Sequence, residues 1–258
     1  MDGQDLQAKG AAPILSWVSA SFVWATPGRS LLSQRALPSG AALDASEFGS
    51  LDFLRPPWCR ICAFPFELDE GSDAICAACA SAPPVFSHVR SALVYSDTSS
   101  ELVLRLKRQG HRNGLSLYAR WMYAAGKEMF DTADVLIPIP LHYRRLVTRG
   151  FNQAGWLASA VSKVGRIPVR HDMVIRKKAS PSQGRLSARQ RKTNVSGAFQ
   201  VSEKAKKYLP GKRVVIIDDV FTTGATVEAC AKVLISAGVR NVDVVTLARV
   251  VAPKKPLI

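Results

Sequence analysis

The stretch Val214–Thr226, VVIIDDVFTTGAT, restricts the fold of this chain more than any other segment. Its four β-branched residues suit a strand buried on both faces. We read that strand over Arg213–Ile217, introduced by Gly211-Lys212. Asp218 and Asp219 stand at its C-terminal end, where open α/β sheets collect their ligands. Thr222, Thr223, Gly224, Ala225 and Thr226 then open a helix predicted over Thr226–Ala237, with Gly238 as its stop. A helix N-terminus offers unpaired N–H groups and a positive dipole end, which together attract a phosphate. Gly224 lets the backbone approach such a ligand closely. The two carboxylates can accept hydrogen bonds from sugar hydroxyls or hold Mg²⁺ through water, so the segment suits a 5-phosphorylated ribose. A strand ending in two acids also fits a nucleoside triphosphatase, but the chain has no G-x-x-x-x-G-K-[ST]. The acid placement expected of a phosphoacceptor receiver domain is not evident. The plainest alternative is a core strand followed by a threonine-rich helix cap that binds nothing.

Other segments repeat the alternation of strand and helix. Val89–Tyr95 reads as a strand, and Glu101–Gln109 as a helix capped by Ser99 or Ser100 and stopped by Gly110. Leu115–Phe130 reads as one further helix. DVLIPIP, Asp134–Pro140, is a continuous apolar run bounded by prolines, as a buried parallel strand would be. A basic loop follows, then a helix over Gln153–Val164 and, near the end, a strand over Val242–Val250. This order predicts an α/β fold with a doubly wound, mostly parallel sheet. Residues 176–192 hold seven Lys/Arg with no acid and no aromatic residue, and read as a loop able to close over an anionic site.

Cys59-x₂-Cys62 and Cys76-x₂-Cys79 are separated by 13 residues. Two such pairs close a four-thiolate Zn²⁺ site with no open position, which makes it structural. Two disulfides are the alternative. The fifth cysteine, Cys230, falls in the helix after the threonine-rich loop and reads as a core residue. The four histidines show no metal spacing; His142 is weighed as a contact for a diphosphate against a plain loop residue.

Charge divides the chain unevenly. Residues 1–100 hold 6 Lys/Arg against 10 Asp/Glu, whereas residues 101–258 hold 29 against 10. The basic part calls for a polyanionic partner or is simply a solvated surface. No run approaches the roughly 20 apolar residues that span a bilayer. Ile14–Ala25 faintly resembles a secretion signal, but Asp2 and Asp5 outnumber Lys9 ahead of it and serines interrupt it. The expected compartment is the cytoplasm. The expected division is a loose N-terminal extension over residues 1–50, a Cys₄ zinc ribbon over 51–85, a ligand-binding domain over 86–252 and a tail over 253–258.

With these residues in view, the chain resembles the ComF/GntX family of competence-associated proteins with a type I phosphoribosyltransferase-like fold. The resemblance runs from Leu51 to Val250. It is carried by the cysteine module, Leu106–Gly110, PIPLHYRRLVTRGFNQA (Pro138–Ala154), the loop positions Ser180, Gln183, Leu186, Arg191 and Asn194, Ala198-Phe199, TLAR (Thr246–Arg249) and VVIIDDVFTTGAT itself. Ser180 stands where the family usually has Thr. The resemblance implies phosphoribosyl pyrophosphate as ligand, with Asp218 and Asp219 on the ribose hydroxyls and Mg²⁺, and Thr222–Thr226 around the 5-phosphate. Arg144 and Arg149, in the loop after Pro140, are placed on the pyrophosphate side, where Lys107 and Arg108 are further candidates. It implies phosphoribosyl transfer to an unnamed acceptor in the setting of DNA uptake. A rival reading is a non-catalytic component that binds single-stranded DNA and keeps a vestigial or regulatory ribosyl site. Against it, only Tyr143 and Phe151 lie near cationic residues as stacking platforms. Oligomeric state, a dimer included, is left open.

Overall fold

The computed structural model describes residues 28–38, 41–108, 112–177 and 197–251. The first elements are a two-residue antiparallel ribbon, β1 (Gly28–Arg29) with β2 (Ala36–Leu37), and a short helix α1 (Ala45–Gly49). These elements fall within the stretch expected as an N-terminal extension, residues 1–50. Asp44 accepts from Glu47 N while the Glu47 carboxylate reaches back to Asp44 N. That reciprocal box satisfies two donors at the helix start. Leu31 and Leu51 anchor this region in the main core.

The cysteine module contains α2 (Ala77–Ser81), after which β3 (Val89–Val94) enters the sheet. Helix α3 (Asp97–Arg108) starts earlier than the sequence suggests, with Ser96 O accepting from Ser100 N at 2.8 Å and its Oγ from Ser99 N at 3.4 Å. Ser99 sits in the first turn, fully buried, accepting from Ser96 N at 2.8 Å and donating to Val94 O at 2.7 Å. The single helix expected over Leu115–Phe130 is broken into α4 (Leu115–Ala125) and α5 (Lys127–Phe130). Gly126 marks the break, where a Cβ would fall 2.5 Å from Val245 Cγ2 on the sheet. The chain turns there because only a glycine lets it lie that close to the strand.

Next come β4 (Val135–Pro138), α6 (Tyr143–Arg149) and α7 (Gln153–Gly165). Helix α6 replaces the expected basic loop. It is seven residues long, capped by His142, whose Nδ1 accepts from Arg144 N, and ended by Gly150 at φ 74°. Strands β5 (Val174–Arg176) and β6 (Phe199–Val201) form a second antiparallel ribbon, and α8 (Glu203–Tyr208) leads into β7 (Arg213–Phe221), α9 (Ala225–Ser236) and β8 (Asn241–Arg249). Arg176 thus ends a strand instead of opening a loop. The remainder of the expected basic loop from residue 178, with Ser180, Gln183, Leu186, Arg191 and Asn194, lies outside the described residues.

The central sheet has strand order β3-β8-β7-β4, and all its pairings are parallel. A single parallel bridge from Leu136 to Val169 extends it beyond β4. Val214, Ile216, Val242 and Val244 face α9 and the cysteine module, whereas Val215, Ile217, Val245 and Leu247 face α3, α4 and α7. Each buried aliphatic side chain contributes about 1.5–3 kcal/mol, which is why both faces need cover. The sheet is doubly wound, as the apolar runs require. Among the described residues no helix is long and apolar enough to cross a membrane.

Candidate active site

Strand β7 runs to Phe221, four residues past its expected end, and the extra length creates the site. Its pairing with β4 stops at Pro138↔Ile217, while its pairing with β8 continues to Phe221↔Arg249. From Asp218 onward one edge of β7 is open, which is the crevice where ligands of such sheets bind. The cleft there has a volume of about 560 Å³. Asp218 and Asp219 lie on its wall with Thr222, Gly224 and Thr226, whereas Thr223 and Ala225 belong to the loop but not to the lining. Gly224, at φ 77°, is the N-cap of α9. A side chain there would be strained by the backbone angle and would also meet the Phe221 ring, with Cβ 2.9 Å from Cζ.

Charges converge on this cleft. Lys107 from α3, Arg145 and Arg149 from α6, and Arg176 from β5 line it together with the two carboxylates. Lys107 Nζ is 3.1 Å from Asp219 Oδ2, and Asp219 N donates to Asp218 Oδ1 at 2.8 Å. Burial, then repulsion from Asp219, raises the Asp218 carboxyl to about 7, against the pull of Lys107 and Arg176. Burial and the neighbouring Arg149 hold Arg145 below the usual guanidinium range; burial and Arg145 do the same to Arg176. Since guanidinium stays protonated in proteins, these shifts report partly buried cations standing close to one another. Gln153, itself buried, accepts from Arg149 Nη1 at 3.3 Å and orients it. His142 points elsewhere: besides capping α6, its Nε2 lies 3.2 Å from Lys177 O.

The sulfurs of Cys59, Cys62, Cys76 and Cys79 all lie within 4.8 Å of one another. None is in a disulfide. Cys62 Sγ and Cys76 Sγ are 3.7 Å apart. A tetrahedral Zn²⁺ with Zn–S bonds of about 2.3 Å sets its sulfurs roughly 3.8 Å apart, so the donor set fits that ion. Three of these cysteines are buried in the core that supports α9, which places the module against the sheet rather than on a tether.

Comparison with known proteins decides the family. The family described as "Phosphoribosyl transferase domain" matches residues 115–257. The chain belongs to this family. Competence protein F of Haemophilus influenzae is 32% identical over 179 residues, 67% of this chain and 78% of that protein. DNA utilization protein YhgH of Escherichia coli K12 is likewise 32% identical, over 67% of this chain and 77% of its own. Competence protein ComFC of Bacillus subtilis is 28% identical over 58% of both.

In this phosphoribosyl transferase domain, one further expected residue joins Thr223 and Ala225 outside the cleft lining. Arg144 is exposed and outside the cleft lining, and Arg145 stands there instead. Arg145 and Arg149 are one helical turn apart and share a face of α6, whereas Arg144 is rotated away. Arg145, Arg176 and Tyr95 were not singled out from the sequence. The i,i+4 spacing of Arg145 and Arg149 was the available signal for the first. Arg176 had none, since its place depends on pairing β5 with a strand more than twenty residues away.

Proposed function

We propose that the cleft binds phosphoribosyl pyrophosphate with Mg²⁺ and that the chain transfers its phosphoribosyl group to an acceptor. The observation that carries this is a single cleft joining an acidic pair, the N-terminus of a 12-residue helix and four cationic side chains. That layout matches a ligand that is anionic at both ends and hydroxylated between them. Asp218 and Asp219 accept hydrogen bonds from the ribose hydroxyls and hold the metal. The loop Thr222–Thr226 takes the 5-phosphate on its N–H groups and hydroxyls. Arg145, Arg149, Arg176 and Lys107 take the pyrophosphate, and their preorganised charge stabilises the leaving diphosphate as C1–O breaks through an oxocarbenium-like state. Mg²⁺, when bound, supplies Lewis-acid neutralisation of the diphosphate and a template for its oxygens. The zinc ribbon is structural, and cysteines kept reduced for a metal, together with a sugar diphosphate ligand, favour the cytoplasm.

The setting we propose is DNA uptake, as the names of the relatives indicate for those proteins. Direct binding of single-stranded DNA has one feature in its favour. Tyr143, the first residue of α6, is 73% exposed, and Phe151 and Trp156 stack at 4.2 Å with Arg112 over the Trp156 ring. Such aromatic and cationic neighbours are what unpaired bases stack on. Equilibrium binding of phosphoribosyl pyrophosphate to the parent and to Arg145→Ala tests the main reading. We expect affinity to fall at least tenfold in the variant; equal affinity would count against the assignment.

A further inference from the structure

The end of β8 carries a buried cation that the proposed reaction does not use. Arg249 is 5% exposed, and its Nη2 donates to Cys62 Sγ at 3.5 Å. Its guanidinium lies over the rings of Phe221, at 4.7 Å, and Phe64, at 5.8 Å. Nε and Nη1 are buried with no acceptor among the described residues. A buried guanidinium without a counter-ion is strongly destabilising. The sulfur cluster touches it through Cys62 and can carry the compensating charge, since four thiolates around Zn²⁺ leave net negative charge on the cluster.

Phe221 is the other half of the arrangement. The ring under Arg249 is the same ring that a Cβ on Gly224 would strike, and it also meets Phe86 edge-on at 6.3 Å. Phe86 and Phe221 share one core with Cys59, Cys62 and Cys79. Contacts thus run without a gap from Cys62 to Arg249, from Arg249 to Phe221, and from Phe221 to the N-cap of α9.

We infer that Arg249 is a positioning residue that couples the cysteine-bound metal to the loop Thr222–Thr226. With the metal bound, the thiolates hold the guanidinium in place, and the guanidinium holds Phe221 against Gly224. With the metal removed, Arg249 loses its counter-ion and the loop loses its brace. Hydrogen bonds to metal-bound ligands commonly set metal affinity as well, so the effect runs in both directions. The coupling rests on the proposed function only for the loop's role in binding. Loop order can be measured without any sugar diphosphate.

The test uses the full zinc-loaded chain and amide hydrogen exchange at residues 221–226, with α4 as the internal reference for global folding. Removing zinc is expected to raise exchange at the loop at least tenfold while α4 stays protected. Arg249→Met is expected to do the same with zinc still bound. It should also speed zinc release to a chelator about tenfold. In the cobalt-substituted form, losing the N–H···S bond should move the thiolate-to-metal charge-transfer band to lower energy. Arg249→Lys keeps the charge but not the planar stack, so zinc retention should approach the parent while the loop stays loosened. This variant carries the test if Arg249→Met does not fold. Loop exchange and zinc release unchanged from the parent in the soluble variant would overturn the coupling. If stripping zinc unfolds α4 as well, the zinc-loaded variants alone decide.

Discussion

Replacing Asp218 by Asn should stabilise the protein, and increasingly so as pH rises. Asp218 shares the open edge of β7 with Asp219, and burial together with that like charge lifts its carboxyl from 3.8 to about 7. A carboxyl whose folded value is raised binds its proton more tightly when folded. Stability is therefore lost as pH climbs from near 4 to near 7, and the whole penalty is present above 7. At about 1.36 kcal/mol per unit, this amounts to about 4 kcal/mol as an upper bound, because relaxation and water entry lower it. Asn keeps the shape and removes the charge. Urea unfolding of parent and variant should show a gain in the variant at pH 8 larger than the gain at pH 5, by up to about 3 kcal/mol. Both chains carry the same cysteines, whose contribution cancels in the comparison, and the repulsion between Asp218 and Asp219 is part of what the variant removes. A gain independent of pH, or a variant less stable at pH 8, would refute the assignment of the raised proton affinity to this site. The sign matters because a binding carboxylate kept at the expense of stability is what a ligand site, rather than a plain core strand, would hold.

Further outcomes follow from the same geometry. Gly224→Ala places a side chain at φ 77° and against Phe221, so unfolding should show a loss of about 1–2 kcal/mol, with the loop displaced and phosphate affinity reduced. Elemental analysis should find one zinc equivalent in the parent and none in Cys76→Ser; a parent without zinc would overturn the metal assignment. Asp44→Ala removes the cap of α1 and should reduce stability by about 1 kcal/mol in urea unfolding, without changing ligand affinity.

The sheet was legible in the sequence because its strands are buried on both faces and so read as unbroken apolar runs; Ile216 and Ile217 point to opposite cores yet neither touches water. The loop at Thr222–Thr226 was legible because its chemistry is local, a glycine and hydroxyls opening a helix. Helix α6 was not, since its seven residues bury no side chain and offer no apolar stripe to detect. Helical phase, which that missed helix supplies, is what puts Arg145 rather than Arg144 on the cleft lining. The box at Asp44 and Glu47 was a local signal that could have revealed order inside the expected extension. Arg176 and Arg249 are different. Their positions follow from strand pairing and from packing between distant segments, and a charge run or a terminal TLAR contains no trace of either.

The most direct test of the account is calorimetry with phosphoribosyl pyrophosphate and Mg²⁺, comparing the parent with the Asp218→Asn/Asp219→Asn double variant. The account predicts saturable binding by the parent that requires Mg²⁺ and is lost in a folded variant. No binding by the zinc-loaded parent, or binding that survives unchanged without either carboxylate, would contradict it.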